Sequence, residues 1–156
     1  MADVTIEEIT TDDPRLRELL AVHKAYSLAH TPGGGGHALS ADADLSGLRY
    51  WLALDHHRAL GCVGLQPIVI EGATQGEVKS MHVLAEARGR GIGTKLLDCL
   101  VAVAQQSGWR HLYLETHLGE GFAASRALYT RSGFIACDRF GPYADDPASF
   151  CMRYNL

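Results

Sequence analysis

The chain has 156 residues, 47% of them hydrophobic and 21% charged, and 14 Lys+Arg against 18 Asp+Glu give a formal net charge of −4. That length suits a single domain over residues 1–156 whose core needs no disulfide or metal staple. The acidic balance leaves no overall electrostatic footprint for nucleic acid, and the apolar content with small net charge excludes disorder. No run approaches the ~18 apolar residues of a membrane span. The first residues lack the basic and apolar regions of a signal peptide, so a cytoplasmic protein is expected. Cys62, Cys99, Cys137 and Cys151 form no C-x-x-C pair and are expected to stay free thiols. His56 and His57 are adjacent and no H-x-x-x-H spacing occurs, so no metal site is expected.

Val4, Ile6 and Ile9 read as a first strand. Asp12 or Asp13 then caps a helix with Pro14 in its first turn, where a missing N–H costs nothing. Leu16, Leu19, Leu20, His23 and Tyr26 recur at helical spacing on its buried face, and Thr31-Pro32 with the glycines at 33–36 ends it. A polar stretch, Ser40 to Gly47, leads into a strand at Tyr50–Leu54. Turns at 55–58 and 71–73 then set out a meander, with strands over Ala59–Ile70 and Gly76–Leu84. Ile92, Leu96, Leu97, Leu100, Val101 and Ala104 form the apolar stripe of a helix that stops at Gly108. A strand from Trp109 to Thr116, a helix from Ala123 to Ser132, and strands at Phe134–Cys137 and Phe150–Asn155 complete the order β-α-(α)-β-β-β-α-β-α-β-β. The bracketed helix falls in the polar stretch. The predicted fold is α/β (α+β): one domain with a mixed sheet flanked by helices.

Chemistry concentrates between Val83 and Leu97, where a strand ends, a glycine-rich turn follows and an amphipathic helix begins inside the turn. Such a turn exposes unpaired main-chain N–H groups at the positive end of a helix dipole. Gly89, Gly91 and Gly93 let a bulky anion approach the backbone, and Arg88, Arg90 and Lys95 add positive charge, so a phosphate or pyrophosphate is the expected guest. The P-loop fails because Thr94 separates Gly93 from Lys95, and the dinucleotide fingerprint fails at its last interval.

The pattern that fits is R-x-x-G-x-G, present as Arg88-Gly89-Arg90-Gly91-Ile92-Gly93. With Leu128-Tyr129-Thr130-Arg131-Ser132-Gly133-Phe134, which looks like an L-Y-x-x-x-G-F segment, the chain resembles the GNAT family of acetyl-CoA-dependent N-acetyltransferases over essentially its whole length. His37-Ala38-Leu39, the stretch from Glu77 to Met81, Leu114-Glu115-Thr116 and the stretch from Asp146 to Met152 look like one bacterial subgroup whose acceptor has no agreed identity.

The resemblance implies a mostly antiparallel GNAT-like sheet and transfer of an acetyl group to a primary amine, expected to belong to a small molecule, by direct attack. It implies that Arg88, Gly89, Arg90, Gly91, Ile92, Gly93 and Thr94 hold the pyrophosphate, and that main-chain N–H groups near Met81, His82 and Val83 bind the thioester. Tyr129 matches the family's general acid, against the plainer reading of a tyrosine packed on the sheet. Glu77 matches the glutamate that some members use as base, against a surface ion pair with Lys79. Period-two geometry puts Glu77, Lys79, Met81 and Val83 on one face and turns His82 away as a core or surface histidine.

Phe122 stands where many members place an asparagine that contacts the coenzyme arm, a contact for which Ser125 is the substitute. His37 follows the loop that covers the acceptor side and reads as a base, as a ligand for an acidic acceptor, or as a solvated histidine. Glu115 and Thr116 end a strand beside the cleft, where Glu115 would bind an acceptor ammonium or satisfy strand-end amides. Tyr143 and Ser149 lie in the last hairpin loop, a lid or a homodimer edge in the family. Trp51 and Trp109 are expected in the core. Two other readings stand beside the enzyme: a non-catalytic acyl-CoA-binding or sensing module, and a plain nucleotide-phosphate binder.

Overall fold

A computed structural model describes residues 3–34 and 36–156. Its strands are β1 (Thr5–Ile9), β2 (Arg49–Asp55), β3 (Arg58–Ile70), β4 (Ala73–Val83), β5 (His111–His117), β6 (Ile135–Cys137) and β7 (Ser149–Asn155). Its helices are α1 (Pro14–His30), α2 (Ile92–Gln106) and α3 (Ala123–Arg131). The strands form one seven-stranded sheet in the order β1-β2-β3-β4-β5-β7-β6. Every neighbouring pair is antiparallel except β4 with β5, whose parallel ladder pairs only Gly76 with Leu112 and Glu77 with Tyr113. The hairpin from β3 to β4 turns through Glu71 and Gly72, both at positive φ, the backbone sense that matches strand twist.

Alternation along the strands divides the core in two. Tyr50, Leu52, Leu54 and Cys62 face α1, meeting Leu16, Leu19 and Leu20. Trp51, Ala53, Val63, Leu65, Val78, Leu112, Leu114 and Met152 face the other way, where α2 contributes Ile92, Leu96, Leu97 and Leu100 and α3 contributes Tyr129. Asp13 caps α1 by accepting from the Arg15 N–H at 2.9 Å. All four cysteines are free thiols, with Cys62 and Cys151 buried.

The bracketed helix does not form. Between residues 37 and 48 the chain makes turns, because Asp42 accepts from the Ser40 hydroxyl and Asp44 from both the hydroxyl and the N–H of Ser46. Such local side-chain bonds compete with helical ones. Arg17 fastens the segment to α1 by donating to the carbonyls of Ala41 and Ala43. Trp51 is 4% exposed in the core, whereas Trp109 packs half-buried just ahead of β5 rather than within it.

Candidate active site

Gly89 and Gly91 both adopt left-handed backbone, at φ +79° and +75°, and Gly91 is the residue that caps α2. Nothing lies within 4 Å of a Cβ built on either, so glycine is needed there for its torsions, not for space. Gly93 is different: a Cβ would stand 2.8 Å from Leu128 Cδ2, so its bare backbone lets α2 lie against α3. Lys95 is the first N–H of the segment to be taken, by the Gly91 carbonyl at 3.1 Å. From Gly89 to Thr94, six consecutive N–H groups have no acceptor among the described residues. Arg88 borders them, its Nε donating to the Val83 carbonyl and its guanidinium 5.6 Å over the Tyr26 ring.

The loop opens onto the gap in the sheet. Beyond Glu77 and Tyr113 the parallel ladder stops and β4 parts from β5. Opposite β3, β4 carries a bulge: Cys62 pairs with His82, yet Gly64 pairs with Lys79, and Ser80 within the extra residue has φ +51°. The extra residue reverses the alternation. Glu77, Lys79 and His82 therefore share the α1 face, and Val78, Met81 and Val83 belong to the α2 face. This corrects the expectation that Met81 and Val83 continue the Glu77 face with His82 turned away. His82 is 6% exposed, and its Nδ1 lies 3.0 Å from Nδ1 of His23 on α1. Burial pulls both imidazoles down to about 4, so the pair is neutral at physiological pH.

Over the α1 face the connection from β6 to β7 folds Tyr143 onto Glu77. The Tyr143 hydroxyl donates to Glu77 Oε2 at 2.6 Å and accepts from Lys79 Nζ at 2.9 Å. Lys79 Nζ is also 3.6 Å from Glu77 Oε1, and Glu77 is 4% exposed, so the expected surface ion pair is a buried three-membered network. On β5 Glu115 accepts from the Ser149 hydroxyl at 2.8 Å, and burial raises its carboxyl. Thr116 beside it is buried. His37 meets Asp146 at 2.9 Å and stands edge-on to the Tyr143 ring, joining the loop after α1 to the β6–β7 connection.

Across the sheet, Tyr129 is buried on the α3 side against Phe134, and its hydroxyl has no hydrogen-bond partner among the described residues. Burial raises its phenol well above the usual value, so it stays protonated. Phe122 packs on Tyr26 and His117, and Ser125 lies one turn further along.

A cavity of about 610 Å³ joins these parts. It is bordered by Arg88, Gly89 and Gly91 to Thr94, by β4 from Glu77 to Val83, by Glu115 and Thr116, by Ser125 and Tyr129, and by His37 and Tyr143. The expected site residues are thus brought together with one exception. Arg90 does not border the cavity, so what it can offer is its main-chain N–H. His23, Tyr26 and Asp146 also line the cavity. For the first two the sequence signal was a helical spacing that reads equally well as core.

A mixed sheet that splits after its one parallel pair, with free amides of a helix N-terminus at the mouth of the split, defines an acetyltransferase of the GNAT class. The chain belongs to that family: the pattern of the Acetyltransferase (GNAT) family matches residues 18–134. It is 32% identical to the uncharacterized N-acetyltransferase YedL of Escherichia coli, covering 95% of this chain and 94% of that one. It is 40% identical over 110 residues to the IAA acetyltransferase of Azospirillum brasilense, 70% of this chain and 69% of the relative. A Klebsiella pneumoniae protein assigned to the acyl-CoA N-acyltransferases superposes with a TM-score of 0.80 at 28% identity, covering 100% of this chain and 99% of that one. A GNAT family acetyltransferase of Elizabethkingia anophelis, solved with acetyl-CoA bound, shares the fold at a TM-score of 0.73 and 22% identity, with 100% of both chains covered.

Proposed function

We propose that this protein transfers the acetyl group of acetyl-CoA to the primary amine of a small molecule by direct attack. The observation that carries the reading is the run of six unpartnered N–H groups, Gly89 to Thr94, at the N-terminus of α2. These N–H groups sit at the positive end of a helix dipole, and a diphosphate supplies acceptors for them. In this reading Arg88 adds charge to that site, the main chain at Met81 to Val83 runs beside the thioester, and Ser125 lies along the coenzyme arm in place of the missing asparagine. Acetyl-CoA supplies the acyl group and a thiolate leaving group. Glu77 accepts one proton of the acceptor ammonium, a nitrogen–carbon bond forms as the carbon–sulfur bond breaks, the Tyr129 hydroxyl protonates the sulfur, and the second proton shed by nitrogen as the amide forms returns the tyrosinate to the phenol. Glu115 and Thr116, with His37, line the acceptor side.

The His37–Asp146 bridge, which ties two loops together over that side of the cavity, supports a small acceptor. Titration with acetyl-CoA, CoA and ATP, then a thiol-release assay over a panel of small amines, tests the reading. IAA joins the panel because a relative bears its name. Acetyl-CoA is expected to bind well ahead of ATP, with thiol released by at least one small amine. A preference for ATP rejects the coenzyme site, and tight acetyl-CoA binding without turnover on any amine rejects the enzyme in favour of a sensing module.

A further inference from the structure

The geometry points to Tyr143 as the positioning residue for the Glu77 carboxylate, an inference that rests on the reading of Glu77 as the group that takes the acceptor's proton. Tyr143 reaches β4 from the β6–β7 connection, 66 positions away in sequence, and is 2% exposed. Its hydroxyl stands in a directional chain: Lys79 Nζ donates to Tyr143 Oη at 2.9 Å, and Tyr143 Oη donates to Glu77 Oε2 at 2.6 Å. A cation donating to a phenol makes that phenol a stronger donor in turn, so the two bonds reinforce each other in a dry site. With Oε2 held by the hydroxyl and Oε1 3.6 Å from Lys79, the glutamate is confined to one orientation. A long acidic side chain otherwise loses geometry to rotamer freedom.

Lys79 on β4 and Cys151 on β7 act on this carboxylate, and Glu115 on β5, with His37 and Asp146 on the two loops above, border the same cavity. Burial raises the Cys151 thiol to about 11, which keeps it neutral, and Asp146 is occupied by His37. Tyr143→Phe removes one neutral donor and alters none of these charges. The ring that remains still packs against Phe140 and His37, at 5.2 and 4.8 Å between centroids.

The test is the pH dependence of kcat/KM for the amine in Tyr143→Phe, Lys79→Gln and Glu77→Gln. Glu77→Gln is expected to abolish the acid limb. Tyr143→Phe is expected to move that limb up by about one pH unit, the worth of one hydrogen bond to a charged group. Its kcat falls roughly tenfold through lost orientation, with the KM for acetyl-CoA within about twofold of the parent. Lys79→Gln, which keeps the aromatic roof, moves the limb the same way. If Glu77→Gln retains the acid limb, the reading of Glu77 as base is wrong whatever Tyr143 does. If Glu77→Gln abolishes the limb while Tyr143→Phe and Lys79→Gln leave it in place, the base stands and the positioning role is overturned.

Discussion

Tyr129 and Glu77 approach the split from opposite faces of the sheet, one beside Phe134 and the other beneath Tyr143. In the proposed transfer nitrogen sheds two protons and sulfur gains one, and separate faces keep an acid and a base from neutralising each other. Burial raises the Tyr129 phenol and its hydroxyl has no partner among the described residues, so in the proposed transfer its proton is free to go to the sulfur. Tyr129→Phe is expected to lower kcat by ~10²-fold while the affinity for acetyl-CoA changes little. An unchanged kcat in single-turnover assays would leave Tyr129 a packing residue. That Glu77 and Tyr129 border the cavity was legible through the resemblance, which matched each to a family position in or near a quoted motif. His82 was not, because its face depends on the bulge at Ser80, and a serine at φ +51° carries no compositional mark. Tyr143 was read only as part of a lid or a dimer edge. Its partner lies on another strand, and pairing across the fold leaves no local signature.

At the scale of elements, the start of α2 does two jobs with three glycines. Gly89 and Gly91 bend the chain through left-handed torsions so that successive amides point outward, and Gly93 lets Leu128 of α3 close over the helix. Gly91→Ala forces an L-residue to hold φ +75°, at a cost of roughly 1–2 kcal/mol, or lets the cap relax and turn its amides aside. Affinity for acetyl-CoA by calorimetric titration should fall about tenfold, with the melting temperature also lowered. Wild-type affinity in this variant would remove the cap from the anion site. The stripe that announced α2 is its buried face, Ile92, Leu96, Leu97 and Leu100, so this element could be read almost to the residue. The stretch from Ser40 to Gly47 could not, since its outcome turned on whether Asp42 and Asp44 bonded to nearby serines or faced solvent along a helix.

Across the whole molecule, α1 is fastened to the sheet at the site itself, through two neutral histidines. His23 and His82 each titrate near 4 in the fold, mainly through burial, with Lys24 and each other adding to it for His23 and Arg88 for His82. In the unfolded chain both return to about 6.5. Between those values the unfolded chain binds more protons than the folded one, so stability rises with pH through that window and is lost as pH falls. Lowering the pH from 7 to 4.5 should therefore destabilise the protein by on the order of 2 kcal/mol for each imidazole of the pair. Carboxylates held down by partners, such as Asp13 and Asp146, lose their contribution only below the usual carboxylate range, so from pH 7 to 5 the two histidines dominate the fall, opposed by the raised Glu115 carboxyl. Urea unfolding followed across that interval should show a falling midpoint in the parent and a shallower fall in His23→Gln, which keeps an amide able to bond to His82. A midpoint that stays level in the parent would mean that these imidazoles accept protons inside the fold, and that α1 is held at the cleft by its leucines and Tyr26.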